Sequence, residues 1–329
     1  MNQSGGFTRR GWLLFAAMAL IWGVPYLFIS IAVETYSPPA VVAGRTLIAA
    51  LLLLPFAIRS GALKAAWKLW PWVLAFGLVE MAGPFLLLGH AEQTLPSGLT
   101  GLLVATVPLV AAVIALLGGD RGVLRPARII GLFVGIVGVG IVVAGPSLFG
   151  HGQLDLLAIG EVLLVAVLYA IAPFIVARKL SSVPSLGTIT LSLLAIGLLY
   201  LPIALVVPSA PPTLESTAAL VILGVLCTAV AFLAFFALIR EVGPVRAPLF
   251  TYVNPVVAIV LGALILAEPL TPGLLIGFPL IILGCWFAGT GGRLRPVAAE
   301  AVPTDTSAIA ECADPEAEPS APTQRADAE

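Results

Sequence analysis

Charged residues are scarce in this chain. Only 10% of its 329 residues are Asp, Glu, Lys or Arg, whereas about a quarter is usual in soluble domains. The 17 acidic and 16 basic residues nearly cancel, so no strongly basic surface is available for a nucleic acid. With 60% hydrophobic residues and a mean hydropathy of +1.11, the composition instead predicts an integral membrane protein in a lipid bilayer.

Cysteine and histidine are also rare, with three and two residues respectively. Cys227, Cys285 and Cys312 are too widely spaced for a disulfide framework or a paired metal motif. His90 and His151 fall in predicted loops, where a solvated histidine is commoner than a metal ligand. There is no HExxH sequence and no Asp-rich pair, so the sequence predicts neither a metal nor a cofactor.

Ten apolar segments are each long enough, at about 20 residues, to cross the hydrocarbon as a helix. Pro, Gly, Ser and charged residues separate them, as expected of turns. The sequence therefore predicts an all-α fold with ten transmembrane helices. The predicted spans are 12–33, 39–58, 71–90, 96–118, 128–146, 154–177, 184–207, 216–239, 244–267 and 272–290.

The first apolar segment follows Arg9 and Arg10, an arrangement that also begins secretion signals. The run from Trp12 to Val33 is longer than the apolar core of a signal, lacks a convincing A-x-A cleavage site and is followed by further spans. We therefore interpret it as an uncleaved span.

Lysine and arginine are unevenly distributed between the predicted loops. Fourteen of the 16 lie in alternate loops on one side of the membrane, and basic residues mark the cytoplasmic side. Only Arg45, within the second span, and Arg325, near the end of the chain, fall outside this set. The pattern predicts a multi-pass protein of the plasma membrane with both termini in the cytoplasm. The fourteen residues are Arg9, Arg10, Arg59, Lys64, Lys68, Arg121, Arg125, Arg128, Arg178, Lys179, Arg240, Arg246, Arg293 and Arg295.

One passage occurs twice in the chain. Leu103–Leu116 and Phe250–Ala263 align without a gap and place Pro108 on Pro255. Arginines follow the first copy, whereas Glu268 follows the second. Because each half has five predicted spans, an odd number, the second half would cross the membrane in the opposite sense to the first. Two inverted five-helix repeats are the organisation that this pattern predicts.

The repeats divide the chain into four predicted parts. Residues 1–11 form a cytoplasmic N-terminus, 12–146 the first repeat and 154–290 the second repeat. Residues 291–329 are rich in Ala, Pro, Glu and Asp, a composition typical of a disordered tail, here a cytoplasmic one.

Several short motifs, in the order in which they occur along the chain, resemble those of the EamA-type members of the drug/metabolite transporter superfamily. Each motif is weak alone, but together they cover about Trp12 to Gly289. Asp120-Arg121 departs from the glutamate-containing turn that is common in the family at this point. The motifs are Ile21-Trp22-Gly23, Gly44-Arg45-Thr46-Leu47, Val104-Ala105-Thr106-Val107-Pro108-Leu109, Gly243-Pro244-Val245-Arg246-Ala247, Tyr252-Val253-Asn254-Pro255-Val256-Val257-Ala258 and Ala267-Glu268-Pro269-Leu270-Thr271.

The resemblance implies ten helices in two inverted repeats around a central cavity. It also implies a transporter, not an enzyme, that moves small metabolites or amino acids by alternating access, with export the favoured direction. A flippase for a lipid-linked carrier and an integral-membrane enzyme remain as alternatives. A channel is disfavoured because the sequence has no repeated filter and no ring of pore-lining charges.

Three ionisable residues lie inside predicted spans, where a charge costs a few kcal/mol even on a lenient insertion scale. Glu80 lies near the centre of the third span and is either a proton carrier or a partner for a cationic substrate. Arg45 and Glu161 lie about 9 Å below the predicted outer interface, from a rise of 1.5 Å per residue. They are candidates for a pair between repeats, although either side chain could instead reach the interface.

Polar and aromatic residues near the repeated prolines complete the candidate site. Asn254 lies mid-span, with Thr251 and Tyr252 close by, and lines a cavity or joins helices. Pro108 and Pro255 either bend their helices or free backbone carbonyls at the depth of a substrate. The aromatic candidates for substrate stacking, with packing as the alternative, are Trp22, Tyr26 and Tyr169.

Glycines of the fifth and tenth spans predict close helix contacts, either within the scaffold or at a dimer face. The chain is therefore expected to be a monomer or a homodimer. These glycines are Gly131, Gly135, Gly138, Gly140, Gly273, Gly277 and Gly284.

Overall fold

The computed structural model describes residues 8–119, 124–148, 155–243 and 247–290. Within these ranges every regular element is a helix, as the composition predicts. The α-helices are α1 (Arg9–Ile21), α2 (Pro25–Val33), α3 (Pro38–Arg59), α4 (Ala62–Lys68), α5 (Trp70–Gly77), α6 (Gly83–Ala91), α7 (Ser97–Val104), α8 (Val107–Leu117), α9 (Pro126–Leu148), α10 (Leu156–Ile175), α11 (Ser185–Val206), α12 (Leu214–Gly224), α13 (Ala231–Val242), α14 (Asn254–Ile265) and α15 (Pro272–Thr290). Three π-helical turns (Leu78–Ala82, Val176–Leu180 and Val225–Val230) and a 3-10 segment (Ala247–Tyr252) lie between them.

Several features singled out in the sequence lie outside the described residues. They include His151, the Asp120-Arg121 turn, Arg246 and the predicted tail at 291–329.

Eight helical segments of the described chain are long and apolar enough to cross a membrane. Two further apolar segments, Leu249–Ile265 and Pro272–Ala288, are shorter and coincide with the predicted ninth and tenth spans. The ten-span count therefore stays a prediction. The eight full-length segments are Arg9–Val33, Pro38–Arg59, Trp70–Ala91, Ser97–Leu117, Pro126–Ala144, Leu156–Leu180, Ser185–Val206 and Leu214–Val242.

Three predicted spans are interrupted helices. The first consists of α1 and α2, the fourth of α7 and α8, and the ninth of the 3-10 segment and α14. Pro25, Pro108 and Pro255 each lie in the first turn of the helix that restarts. Proline fits this position because the amide that it lacks would have no partner there. Both interpretations of Pro108 and Pro255, bent helices and freed backbone carbonyls, therefore stay predictions.

Two of the structural interruptions recur at a fixed spacing. A π-helical turn begins at Leu78 and another at Val225, and a helix restarts at Val107 and again at Asn254, in both cases 147 positions later. The duplication seen in the sequence thus extends to the places where the helices break.

The contacts between the two halves join equivalent helices. Helix α3 packs against its counterpart α11, and α9 packs against α15. The third span of each half packs against the first span of the other, α6 with α10 and α12 with α2. Buried apolar side chains such as Leu53 of α3 and Leu193 of α11 fill the shared core. This pattern is the one that a two-fold relation between repeats produces.

Glycines allow the close approach of α9 and α15. A Cβ atom on Gly131 would lie 2.5 Å from the Ala288 amide nitrogen, and one on Gly284 would lie 2.7 Å from the Gly131 carbonyl oxygen. The predicted small-residue contacts are therefore confirmed within the chain at Gly131 and Gly284, and these two positions are not available for a dimer contact. Gly140 is different, because a Cβ there would meet nothing within 4 Å.

Candidate functional site

A cavity of about 300 Å³ lies where the interrupted segments converge. Its wall includes the break after α1, the π-helical turns at Leu78–Ala82 and Val225–Val230, the break between α7 and α8, and the 3-10 segment before α14. Irregular backbone at membrane depth is tolerated where it lines a cavity, because its freed polar groups then need not face lipid. The fold thus gathers its irregular backbone around this space.

Eight of the nine predicted site residues line the cavity, and Glu161 does not. The eight come from both repeats and from seven separate segments of the fold. They are Arg45, Glu80, Asn254, Thr251, Tyr252, Trp22, Tyr26 and Tyr169.

Arg45 of α3 is held rigidly in the cavity wall, where it is 7% exposed. Its Nε donates to Thr228 Oγ1 at 3.0 Å, and the Thr228 hydroxyl donates to the Leu223 carbonyl at 2.8 Å. The guanidinium carbon lies 3.8 Å from the centroid of the Phe85 ring. No acidic side chain of the described residues forms an ion pair with it. A guanidinium that is held in place and has no carboxylate partner in the protein suits a carboxylate or phosphate group of a ligand.

Glu80 faces the cavity from the first π-helical turn. Such a turn adds one residue to an α-helix and changes the direction of its side chains, often at functional sites. Among the described residues, no hydrogen bond or ion pair joins the Glu80 carboxyl to another group. The carboxyl is therefore available to a ligand or a proton.

Aromatic rings form one side of the cavity. The Trp22 ring lies 5.1 Å from the Phe235 centroid, 5.4 Å from that of Phe250 and 5.9 Å from that of Phe232. Trp22 therefore packs against other rings and also lines the cavity, so its packing role is confirmed and stacking on a substrate stays a prediction. Tyr26, Tyr169 and Tyr252 add phenol groups to the wall.

Asn254 also serves two purposes in the structure. With its amide oriented to satisfy the neighbouring acceptors, its nitrogen donates to the Ala19 carbonyl at 3.2 Å and the Phe250 carbonyl at 3.3 Å. It thereby joins the end of α1 to the 3-10 segment while lining the cavity. Thr251 and Tyr252 line the wall immediately before it.

Glu161 lies elsewhere. Its Oε2 atom is 2.8 Å from Nδ1 of His90, with the His90 side chain 52% exposed and the Glu161 side chain 16% exposed. The predicted pair between Arg45 and Glu161 is therefore wrong. A depth estimate alone does not say which way a side chain points around its helix, and Glu161 points toward the end of α6. His90 is accordingly part of the last turn of α6 and not of a loop.

Two acids that the sequence analysis did not place in the site lie close to each other near the start of α7. The Glu268 carboxylate accepts hydrogen bonds from the backbone N–H groups of Ser97 at 2.6 Å and Gly98 at 3.0 Å. Glu92, directly after α6, is 4% exposed. Glu268 belongs to a motif quoted above, but nothing in the sequence marks Glu92, which follows a predicted span as many solvated acids do.

Family comparison agrees with this architecture. A model of the EamA-like transporter family matches residues 9–144 and matches again at 156–290. The chain belongs to the EamA-like transporter family. It is a multi-pass membrane protein and a transporter, built from two copies of the family unit.

Relatives in bacteria carry transporter names. The uncharacterized transporter YvbV of Bacillus subtilis (strain 168) is 29% identical over 294 residues, which are 87% of this chain and 94% of the relative. The uncharacterized inner membrane transporter YedA of Escherichia coli (strain K12) is 29% identical over 274 residues, 75% of this chain and 79% of the relative. A crystal structure of a protein at 23% identity has the same fold, with a TM-score of 0.60 over 86% of this chain and 97% of that one.

The position of Glu161 leads to a prediction. Glu161→Gln is expected to leave transport unchanged, because the side chain lies outside the cavity wall and its partner His90 is half exposed. Partly exposed pairs of this kind contribute at most about 1 kcal/mol to stability. Transport by the variant in liposomes and its melting temperature in detergent check both points. A large loss of transport in a variant that melts normally would return Glu161 to the transport pathway.

Proposed function

We propose that this EamA-like transporter moves small organic metabolites or amino acids across the plasma membrane by alternating access, with net export and both termini in the cytoplasm. The observation that carries the proposal is the cavity at the junction of the two repeats, lined by a guanidinium and a carboxyl that form no ion pair with any described residue. A volume of about 300 Å³ suits a small metabolite better than a lipid-linked carrier. The direction of transport rests on the family resemblance.

The wall chemistry favours a substrate with both an anionic and a cationic group. Arg45 offers a planar fork to a carboxylate, and Glu80 offers a carboxylate to an ammonium group. The aromatic side chains between them suit an apolar or aromatic body. Amino acids and related zwitterions have this combination.

Comparison of metabolites inside and outside cells, with and without the protein, would identify the cargo. A compound that moves with the wild type but not with a Glu80→Gln variant of equal abundance is the expected result. If no small metabolite is redistributed by the wild type, the proposed substrate class is wrong.

Proton coupling through Glu80 gives a second test. Binding a proton on one side and releasing it on the other would drive substrate movement, and substrate would compete for the same carboxyl. We therefore expect Glu80→Gln to lose uptake driven by a pH gradient in liposomes while still exchanging substrate at equal pH, at the higher substrate concentrations that offset the lost carboxylate. Gradient-driven uptake equal to that of the wild type would exclude this mechanism.

A further inference from the structure

Glu92 is a buried acid outside the cavity wall. It is 4% exposed, and neither carboxyl oxygen makes a hydrogen bond of normal length and angle within the described residues. An ionised carboxylate without water, hydrogen bonds or a paired charge is strongly disfavoured, so a buried group of this kind keeps its proton.

A second unpartnered group lies beside Glu268. Ser97 Oγ is fully buried and has no hydrogen-bond partner within the described chain. A Cβ atom on Gly262 would lie 2.9 Å from this hydroxyl and closer still to the Glu268 carboxylate, so both oxygens face the same point. The Glu268 carboxylate is fixed by hydrogen bonds from the backbone amides of Ser97 and Gly98.

The groups around Glu92 favour the protonated form of its carboxyl. Burial raises the pKa of the Glu92 carboxyl well above its usual range and the Glu268 carboxylate raises it further, whereas the Ser30 backbone amide and the Arg45 guanidinium lower it. The titratable groups facing Glu92 are Glu268 from the connection between α14 and α15, Arg45 from α3, and Tyr26 from α2.

We propose that Glu92, with Ser97 and Glu268, forms a proton-binding site beside the cavity, on its predicted outer side and separate from Glu80. A metal ion fits this site poorly, because the Glu268 oxygens are occupied by backbone N–H donors. No group of three or more His, Cys, Asp or Glu side chains in the described part of the chain could hold a metal.

The site is linked to the cavity through Arg45. When Glu92 is ionised it offsets part of the Arg45 charge, and when it is protonated that charge is left to an anion in the cavity. Proton binding at Glu92 and anion binding at Arg45 therefore favour each other, by reciprocal linkage. This step rests on the proposed role of Arg45, whereas the protonation of Glu92 does not.

Infrared spectra of the purified full-length protein across a pH series test the site without any substrate. A protonated carboxyl has a carbonyl band that a carboxylate lacks, and the spectra are recorded in a Glu80→Gln background to remove the other candidate band. We expect this background and its Glu92→Asp version to show the band at neutral pH, and its Glu92→Gln version to lose it. Glu34→Gln, at an exposed acid just after α2, is the matched control and should change nothing.

Two further variants, which keep Glu92, test the site through the titration midpoint of the carbonyl band. Their result does not depend on how well Glu92→Gln folds. Arg45→Met should move the titration midpoint of the band to higher pH, and Glu268→Gln should move it to lower pH, because each removes a charge that faces Glu92. Unchanged midpoints in both variants, or no band at neutral pH, would overturn the proposal. A band that disappears when sodium replaces choline would identify a sodium site instead.

Thermal melting gives a second readout with a defined sign. The folded state holds the Glu92 proton more tightly than the unfolded state. The contribution of this proton to stability is therefore fully present at acid pH and is lost as pH rises through the folded-state pKa. The melting temperature of the wild type should therefore fall more from acid to neutral pH than that of Glu92→Gln. Parallel curves for the two proteins would contradict a bound proton.

Discussion

Replacing Arg45 with methionine is expected to produce the largest functional loss of any single substitution in the cavity. Methionine is long enough to keep the contact with the Phe85 ring, so the cavity wall is preserved while the charge is removed. A hydrogen bond to a charged group contributes about 1.5–3 kcal/mol. The affinity for a substrate with a carboxylate should therefore fall by about one to two orders of magnitude.

Arg45→Lys is the control that separates charge from geometry. Lysine keeps the positive charge but lacks the planar fork and the Nε group that donates to Thr228. We expect an intermediate affinity, measured as substrate uptake into liposomes over a range of concentrations. Wild-type uptake by Arg45→Met would show that Arg45 does not bind the substrate, and a lowered melting temperature beside it would assign Arg45 a structural role instead.

Depth and composition were sufficient to place Glu80, Arg45 and Asn254 in the cavity wall. Glu80, Arg45 and Asn254 lie in apolar segments, where facing lipid is costly, so the bundle interior is the remaining place for them. Because the bundle interior contains a cavity at that depth, these side chains meet there without any pairwise signal in the sequence. Their binding roles remain predictions.

Orientation around a helix was not available from the sequence. Glu161 has the predicted depth, but it faces His90 and the end of α6 instead of Arg45. The helical breaks were also missed in part. Proline marks the restart at Pro25, Pro108 and Pro255. Pro84 likewise follows the turn around Glu80, but a proline alone does not specify that this turn is π-helical.

The burial of Glu92 beside Glu268 could not be predicted from the sequence either. Glu92 follows a predicted span, where an acid is ordinarily solvated. In the fold it is buried, with residues of α2 and of the connection between α14 and α15 facing it, and contacts between distant segments of this kind have no local signature. The glycines of α9 and α15 are different, since their spacing on each helix already predicts close packing.

Gly284→Ala is expected to be among the most destabilising single-methyl additions in the described part of the chain. The new Cβ would lie 2.7 Å from the Gly131 carbonyl oxygen and would meet the Gly135 backbone more closely still. Backbone atoms cannot move aside as a flexible side chain can, so α9 and α15 would have to separate. Overpacking of this kind costs about 1–3 kcal/mol.

Gly140→Ala provides a matched control in the same helix pair. A Cβ on Gly140 of α9 would have no other atom within 4 Å, so the substitution adds the same methyl group without a clash. It should leave stability unchanged or raise it by up to about 1 kcal/mol, the helix preference of alanine over glycine. Unfolding of both variants by detergent titration measures the difference. Equal stabilities would mean that α9 and α15 pack less closely than the structure shows, because only the contact at Gly284 distinguishes the two positions.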